Sequence, residues 1–360
     1  MNNKINGCLI GGAIGDALGY PIEFAKGIKD KQVTIYKDNV GIISDDTQMT
    51  LFTANALLWR DTRLALKGTT IPIEDALYNA YLDWLDTQIN TQSLIGNSWI
   101  KHLPELKVMR APGNTCMSML RSNTMGTLTK PINDSKGCGG VMRVAPIGLY
   151  TRFSEVAGEY AAKAAAITHG HVYSSMSAFV LASMINIIVN TGSTILDSIN
   201  LALTQMQSFF KKNKLCKTKI SQKFIGIINK AIDLSKKDIN DIQAIHLLGE
   251  GWVAEEALAI AIYSCLKYPN DFVSAVVCAI NHDGDSDSTG AIAGNIIGAY
   301  LGFDKIPSYY VDNLQLKELI LEIAQDLSVR IPVSEYSPDN DQYWLDKYVN
   351  CKVDKYSIKH

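Results

Sequence analysis

Residues 7–19 read GCLIGGAIGDALG, and residues 290–302 read GAIAGNIIGAYLG. In both stretches glycine recurs at every fourth position, as Gly7, Gly11, Gly15 and Gly19 and as Gly290, Gly294, Gly298 and Gly302. Residues four apart share one face of an α-helix, so each series predicts a flat ridge. An interior glycine costs about 0.5–1 kcal/mol relative to alanine. Two such ridges predict close packing between the two ends of the chain, where backbones or a ligand approach closely, and helix packing alone would explain them.

Helical patterns dominate the rest of the sequence as well. Apolar residues recur with helical spacing in six segments, Thr47–Trp59, Ile73–Leu85, Ser154–Ile167, Val172–Val189, Glu255–Leu266 and Ser288–Leu301. Alternating patterns typical of strands are scarce. No linker rich in proline, glycine or serine divides the chain. The sequence therefore predicts an all-α fold in a single domain.

Composition excludes several classes of protein. With 47% hydrophobic and 19% charged residues, the 360-residue chain predicts a globular protein. A net charge of -2 gives no global field that would attract nucleic acid or an anionic membrane. The strongly apolar run at 178–189 is too short to span a bilayer, so we expect a buried helix and no membrane segment. Without sustained heptads, a monomer is the default expectation.

The cysteines indicate the compartment. There are 7, an odd number, and they are scattered without a CxxC pair. This pattern argues against a disulfide framework and against a thiolate zinc site. We therefore expect a cytoplasmic protein.

Two acidic clusters lie far apart in the sequence, each directly before an apolar helix. The first contains Ser44, Asp45 and Asp46, and the second runs from Asp285 to Ser288. Either cluster could be an ordinary N-cap, but a cap needs one such residue. The additional carboxylates would repel one another unless a cation or protons neutralised them. Mg²⁺ prefers carboxylate, hydroxyl and water oxygens, and four aspartates would balance two Mg²⁺ ions.

Two other acidic motifs fit less well. Asp283, Asp285 and Asp287 reproduce the first three alternating acids of an EF-hand loop. However, Ser288 stands where the glycine belongs, and Gly294 stands where the bidentate glutamate belongs. The DDxxD signature of isoprenoid synthases fails because Met49 occupies the place of its last aspartate.

Two turns could present backbone N–H groups to a ligand. Residues 135–146 read SKGCGGVMRVAP, and three glycines in four residues could line a concavity suited to a diphosphate. A tight loop is the commoner explanation, because the spacing matches neither a Walker A loop nor a dinucleotide fingerprint. Residues 111–116, APGNTC, form the second turn.

Taken together, these segments resemble the ADP-ribosylglycohydrolase family. The resemblance covers most of the chain and rests on seven ordered motifs, GCLIGGAIGDALGYPIEF at 7–24, SDDTQMTLF at 44–52, APGNTC at 111–116, SKGCGGVMRVAPIGL at 135–149, THGH at 168–171, GEGWVAEEALAIA at 249–261 and NHDGDSDSTGAIAGN at 281–295. It implies an orthogonal helical bundle with a centre of two Mg²⁺ ions, which Mn²⁺ could replace. The implied activity is hydrolysis of the glycosidic bond that joins ADP-ribose to a modified acceptor.

The resemblance also implies roles for particular residues. Glu23 and Asp46 would be the catalytic carboxylates, although Glu23 could also be a surface acid. The implied metal ligands are Ser44, Asp45, Asp46, Asp285, Asp287 and Ser288. The implied substrate-binding residues are Gly113, Asn114, Gly137, Gly139, Gly140 and His169. A core histidine explains His169 equally well, and a buried aromatic explains Trp252 as well as a substrate contact does.

The resemblance leaves the acceptor open. Ala111 stands where arginine-specific members of the family often carry an aspartate. ADP-ribosyl-arginine on a protein is the first expectation, with a serine linkage and O-acetyl-ADP-ribose as alternatives. A non-catalytic relative, such as a lens crystallin or an ADP-ribose-binding protein, is the alternative from another class. We expect the catalytic domain to cover residues 1–335, with a C-terminal extension at 336–360.

Overall fold

A computed structural model describes residues 1–25, 32–89, 96–329 and 331–352. Within these ranges the chain forms sixteen α-helices and no strand, which confirms the predicted all-α fold. The helices are α1 (Asn2–Gly19), α2 (Asp45–Lys67), α3 (Ile73–Ile89), α4 (Asn114–Arg121), α5 (Ala145–Tyr150), α6 (Ser154–Ala166), α7 (Val172–Thr191), α8 (Ile195–Lys212), α9 (Thr218–Ser235), α10 (Asp241–Leu248), α11 (Ala254–Lys267), α12 (Phe272–Ile280), α13 (Ser286–Leu301), α14 (Ser308–Asp312), α15 (Lys317–Ser328) and α16 (Gln342–Tyr348).

The glycine ridges pack against each other, as their spacing predicts. Helices α1 and α13 form the most extensive helix–helix contact among the described residues. A Cβ atom added at Gly11 would collide with the backbone of Gly294, and one added at Gly15 would collide with that of Gly290. At Gly19 the added atom would strike the backbone of Ser286 and Asp287. The ridge thus fixes the backbone at the start of α13, where the second acidic cluster lies.

The six predicted helical segments correspond to observed helices, and only Ile167 falls outside, one residue beyond the end of α6. The largest difference is in α2, which continues to Lys67, beyond the predicted end at Trp59. Thr62 is buried in this extra stretch, and the helix ends at Gly68, which adopts φ 62° and receives no contact where a Cβ would be. Partial burial of the later turns, and a glycine that can take the left-handed conformation, place the end of the helix there.

Helix α7 is the apolar helix that the sequence analysis assigned to the interior. By length and hydropathy it could cross a membrane, but 89% of its most apolar window is buried inside the protein. It packs against α5, α6 and α8. Its position is that of a core helix, as expected.

Helix α16 joins the C-terminal segment to the rest of the bundle. The Trp344 indole N–H donates to Thr62 Oγ1 of α2 at 2.8 Å. Lys347, only 2% exposed, pairs with Glu322 at 3.2 Å and with Asp326, and the Tyr348 hydroxyl donates to Asp326 at 2.6 Å. The predicted domain boundary at residue 335 stays a prediction, and residues 353–360 lie outside the described residues.

Candidate active site

The two acidic clusters occupy the N-terminal turns of α2 and α13. Ser44 caps α2, because its Oγ accepts the Asp46 N–H at 3.2 Å. Asp285 caps α13, because its Oδ1 accepts the Ser288 N–H at 3.2 Å. The capping role is therefore real at both helices, and at α13 Asp287 Oδ1 also accepts the Ser288 N–H at 3.0 Å. The remaining carboxylates are available for another task.

The clusters meet at one cavity of about 240 Å³. The residues that line it are Glu23, Phe24, Asp45, Asp46, Ala111, Pro112, Gly113, Asn114, Cys138, Gly139, Met142, Trp252, Asp285, Asp287 and Ser288. Glu23, Asp285 and Asp287 each offer one oxygen, and these oxygens lie within 4.8 Å of one another. The structure thus brings together most of the predicted site residues from five separate parts of the sequence.

This cavity contains oxygens that the protein leaves unpaired. Glu23 Oε2 and Asp46 Oδ2 are buried and have no hydrogen-bond partner. Burial is also the main cause that raises the pKa of Glu23 to about 8, and the charges of Asp285 and Asp45 add to it. Burial first and neighbouring carboxylates second raise the pKa of Asp46 and Asp287 well above the usual range. An acidic cluster of this kind could bind a metal ion, which would neutralise the charge and satisfy the free oxygens.

Asp16 is a buried residue of this region that the sequence analysis did not single out. Its carboxylate accepts the backbone N–H of Ser44 at 3.0 Å and that of Thr47 at 3.1 Å, and it accepts the Thr47 hydroxyl at 2.5 Å. It therefore holds the first turn of α2 in place from α1. Burial raises its pKa to about 6. The available signal was an acidic residue inside an otherwise apolar, glycine-rich helix.

The turn at residues 110–113 closes over Asp45. The Asp45 N–H donates to the Arg110 carbonyl at 3.1 Å, and the Gly113 N–H donates to Asp45 Oδ2 at 3.2 Å. Between them Ala111 adopts φ 50°, a left-handed conformation that costs a residue with a Cβ about 1–2 kcal/mol. Gly113 and Asn114 both line the cavity, and their predicted contact with the substrate stays a prediction.

The glycine-rich segment has a different arrangement from the one expected. Of Gly137, Gly139 and Gly140, the last two are buried and only Gly139 lines the cavity. A Cβ at Gly137 or Gly139 would press on the ring of His169, and one at Gly140 would collide with Ser174. Close packing against protein therefore explains these glycines. Their predicted contact with a diphosphate stays a prediction.

His169 lies beneath this segment and does not line the cavity. The ring is 2% exposed, and its Nδ1 is 2.8 Å from Thr168 Oγ1. Burial, followed by the charge of Arg143, lowers its pKa to about 3, so the ring is neutral. The core interpretation of His169 fits this position, and any effect on a substrate would pass through the glycine segment above it.

Cys138 and an aromatic pair complete the walls. Cys138 Sγ is 2.7 Å from Asp285 Oδ2, and the Cys138 N–H donates to the Trp252 carbonyl at 3.2 Å. The rings of Trp252 and Phe24 stack with centroids 5.9 Å apart, and both line the cavity while remaining exposed to solvent. Phe24 and Cys138 lie inside sequence motifs of the family, Phe24 at the end of residues 7–24 and Cys138 in residues 135–149, but neither was predicted to be a site residue.

Comparison with known proteins agrees with this architecture. The sequence profile of the ADP-ribosylglycohydrolase family matches residues 1–336. A protein of Archaeoglobus fulgidus is 27% identical over 340 residues, covering 91% of this chain and 96% of its own. The ADP-ribosyl-[dinitrogen reductase] glycohydrolase of Rhodospirillum rubrum is 24% identical, covering 88% of this chain and 92% of its own.

Two further proteins extend the comparison. The ADP-ribosylarginine hydrolase Tri1 of Pseudomonas putida is 23% identical, covering 92% of this chain and 79% of its own. A solved structure described as an ADP-ribosylglycohydrolase-related protein complex superposes with a TM-score of 0.63 at 21% identity. That superposition covers 91% of this chain and 97% of the other. Because the family profile spans nearly the whole sequence, this chain belongs to the ADP-ribosylglycohydrolase family.

Proposed function

We propose that this protein is a hydrolase that needs a divalent cation and removes ADP-ribose from a modified protein side chain, arginine in the first instance. One observation carries the proposal. Glu23, Asp285 and Asp287 point oxygens to within 4.8 Å of one another at a cavity that also receives a free, buried oxygen of Asp46. Without a cation, so many buried carboxylates would repel one another.

The residues present fit such a cation. Ser44, Asp45, Asp46, Asp285, Asp287 and Ser288 would hold two Mg²⁺ ions, or Mn²⁺ in their place, through hard oxygen donors. Four aspartates match the charge of two divalent ions. When bound, the cations would supply Lewis-acid stabilisation of charge on the ribose oxygens as the glycosidic bond breaks.

Glu23 and Asp46 are the proposed catalytic carboxylates. Each presents a buried oxygen without a hydrogen-bond partner, and each lines the cavity. A carboxylate in this state can accept a proton from an attacking water once a neighbouring cation holds it in the charged form. Glu23 is the first choice because it does not lie on a helix N-terminal turn and is therefore free of capping.

Residues opposite the acidic clusters would hold the substrate. Gly113, Asn114 and Gly139 line the cavity and would contact the ADP-ribose moiety. Gly137, Gly140 and His169 do not line the cavity and would support substrate binding indirectly, by holding the segment around Gly139 in position. We further propose that the protein acts as a monomer in the cytoplasm.

The choice of arginine rests on the relatives whose names specify a substrate, one of which is an ADP-ribosylarginine hydrolase. One observation favours a second candidate acceptor. Ala111 contributes a methyl group, and therefore no carboxylate, to the cavity wall formed by residues 111–114. A wall without a carboxylate would suit a substrate whose linked group is uncharged, as in ADP-ribosyl-serine or O-acetyl-ADP-ribose, better than the cationic guanidinium of arginine.

The experiment is release of free ADP-ribose from an ADP-ribosyl-arginine peptide in the presence of Mg²⁺. We expect release by the wild-type protein, and none after EDTA treatment or with Asp287→Ala. Asp312→Ala is the matched control, because Asp312 is exposed on α14 and pairs only with Lys317 among the described ion pairs. Release in EDTA would refute the cation requirement. Inactivity on arginine, serine and O-acetyl substrates alike would refute the hydrolase.

A further inference from the structure

Sulfur atoms lie among the oxygen donors of the active-site cavity. Cys138 Sγ is 2.7 Å from Asp285 Oδ2. Met142 Sδ, on the same wall, is 3.8 Å from the Ser288 hydroxyl oxygen. Both residues line the cavity, and no other cysteine does. Sulfur donors do not strengthen the binding of Mg²⁺, since this ion prefers hard oxygen ligands.

The same cavity contains unpaired groups that point to a ligand. Glu23 is 8% exposed and Asp46 is 2% exposed, and each has a buried carboxylate oxygen without a partner. Asp285 belongs both to the pair with Cys138 and to the group of three carboxylates that includes Glu23 and Asp287. A cation bound at Asp285 would therefore have both a sulfur donor and further carboxylate oxygens nearby.

We propose that this cavity is also a binding site for a thiophilic divalent cation, of the zinc or cadmium class, held by the Cys138 thiolate and the Asp285 carboxylate. Glu23, Asp287 and water would supply the remaining ligands. On binding, the Cys138 S–H bond breaks, a sulfur–metal bond forms, and the proton passes to the buffer. No electrons are exchanged. The cation would displace the Mg²⁺ that the proposed function requires and would inhibit hydrolysis.

The geometry demands only a small adjustment. Zinc–sulfur bonds of about 2.3 Å and zinc–oxygen bonds of about 2.1 Å at a tetrahedral ion place the two donor atoms roughly 3.6 Å apart. Cys138 Sγ and Asp285 Oδ2 must therefore separate by about 1 Å. Cys138 lies on the short 3₁₀ turn Cys138–Gly140 and is half-buried, so rotation of its side chain can supply this movement.

The first test is a titration with Cd²⁺, followed by the thiolate-to-cadmium charge-transfer absorbance in the ultraviolet. We expect a band in the wild-type protein that saturates at one equivalent and is absent in Cys138→Ser. Cys216→Ser is the matched control, since Cys216 is also partly exposed but lies between α8 and α9, outside the cavity. It should keep the band. A band of full size in Cys138→Ser, or none in the wild type, would overturn the proposal.

The second test compares two cations. Cys138→Ser should weaken Cd²⁺ binding by at least about tenfold. Loss of a residue that only hydrogen-bonds to a metal ligand already weakens metal binding by about this factor, and loss of a ligand should weaken it at least as much. Binding of Mn²⁺, which prefers oxygen, should change less than that. Equal losses for both ions would mean that Cys138 shapes the cavity without binding the metal, and would refute the proposed ligand role.

A third measurement does not depend on a folded variant. In the wild-type protein at alkaline pH, Cd²⁺ should protect Cys138 from alkylation while Cys216 and Cys351, both partly exposed, continue to react. Equal protection of all three, or of none, would contradict the site. This inference concerns the cavity of the proposed hydrolase, but none of these readouts needs catalysis. Failure to hydrolyse ADP-ribosyl substrates would therefore leave it standing, and its own failure would leave the hydrolase standing.

Discussion

Replacing Gly294 by alanine should destabilise the protein, although alanine is the better helix former. A Cβ at this position would collide with the carbonyl group of Gly11 on α1 and with the N–H of Gly12. These are backbone atoms, which cannot rotate aside, so α1 and α13 must move apart. We expect a cost of about 3 kcal/mol, at the upper end for overpacking. The helix propensity of alanine offsets about 1 kcal/mol of it.

The size of the effect can be measured against Gly226→Ala. Gly226 lies within α9, and a Cβ there would meet nothing within 4 Å, so this variant keeps only the propensity gain of about 1 kcal/mol. Unfolding entropy of about 2.1 cal/mol/K per residue gives this 360-residue chain a shift of roughly 1.3 °C per kcal/mol.

In thermal scans at one heating rate, Gly294→Ala should therefore melt roughly 3 °C below the wild type, and Gly226→Ala roughly 1 °C above it. If Gly294→Ala melted at the same temperature as Gly226→Ala, α1 and α13 would tolerate a Cβ between them. Close packing would then not explain the glycine ridges.

Three further predictions concern the site and the C-terminal helix. Asp16→Asn should weaken Mn²⁺ binding about 10- to 100-fold in a titration, the usual effect of removing a residue that positions the metal ligands. Asp83→Asn is the control, because it also removes a buried carboxylate from backbone N–H groups, and it should leave Mn²⁺ binding unchanged. Glu23 has a pKa of about 8 without a cation, so protons compete with the metal for its carboxylate. The affinity for Mn²⁺ should therefore fall as the pH drops from about 8.5 to 6.5, and an affinity that does not change with pH would contradict this. Lys347→Met leaves Asp326 without its cation and should cost about 3 kcal/mol in denaturant unfolding, whereas exposed Lys305→Met should cost almost nothing.

Short-range patterns of the sequence predicted the all-α fold class and pointed to the two acidic clusters, whereas the roles of Glu23 and of the turn residues came only from the family resemblance. Apolar periodicity predicts the helices because one face of each must be buried. Glycine at every fourth residue predicts close approach of α1 and α13 because a Cβ has no room there. Surplus acids beside helix caps predict a cation site because a cap uses one side chain. These signals need no knowledge of the partner element.

The tertiary structure decided which residues share the cavity and which support it. Asp16 holds the first turn of α2, and Cys138 faces Asp285 across 147 sequence positions, yet nothing in the neighbouring sequence of either residue names its partner. The glycines at 137–140 suggested a ligand, but the ring of His169 fills the space of a Cβ at two of them. Position in the sequence fixes the backbone distance along one helix, whereas contacts between helices depend on how all of them pack. The sequence by itself therefore determined the helices and the chemistry available at their ends, and only the packing of α1, α2 and α13 decided which carboxylates meet.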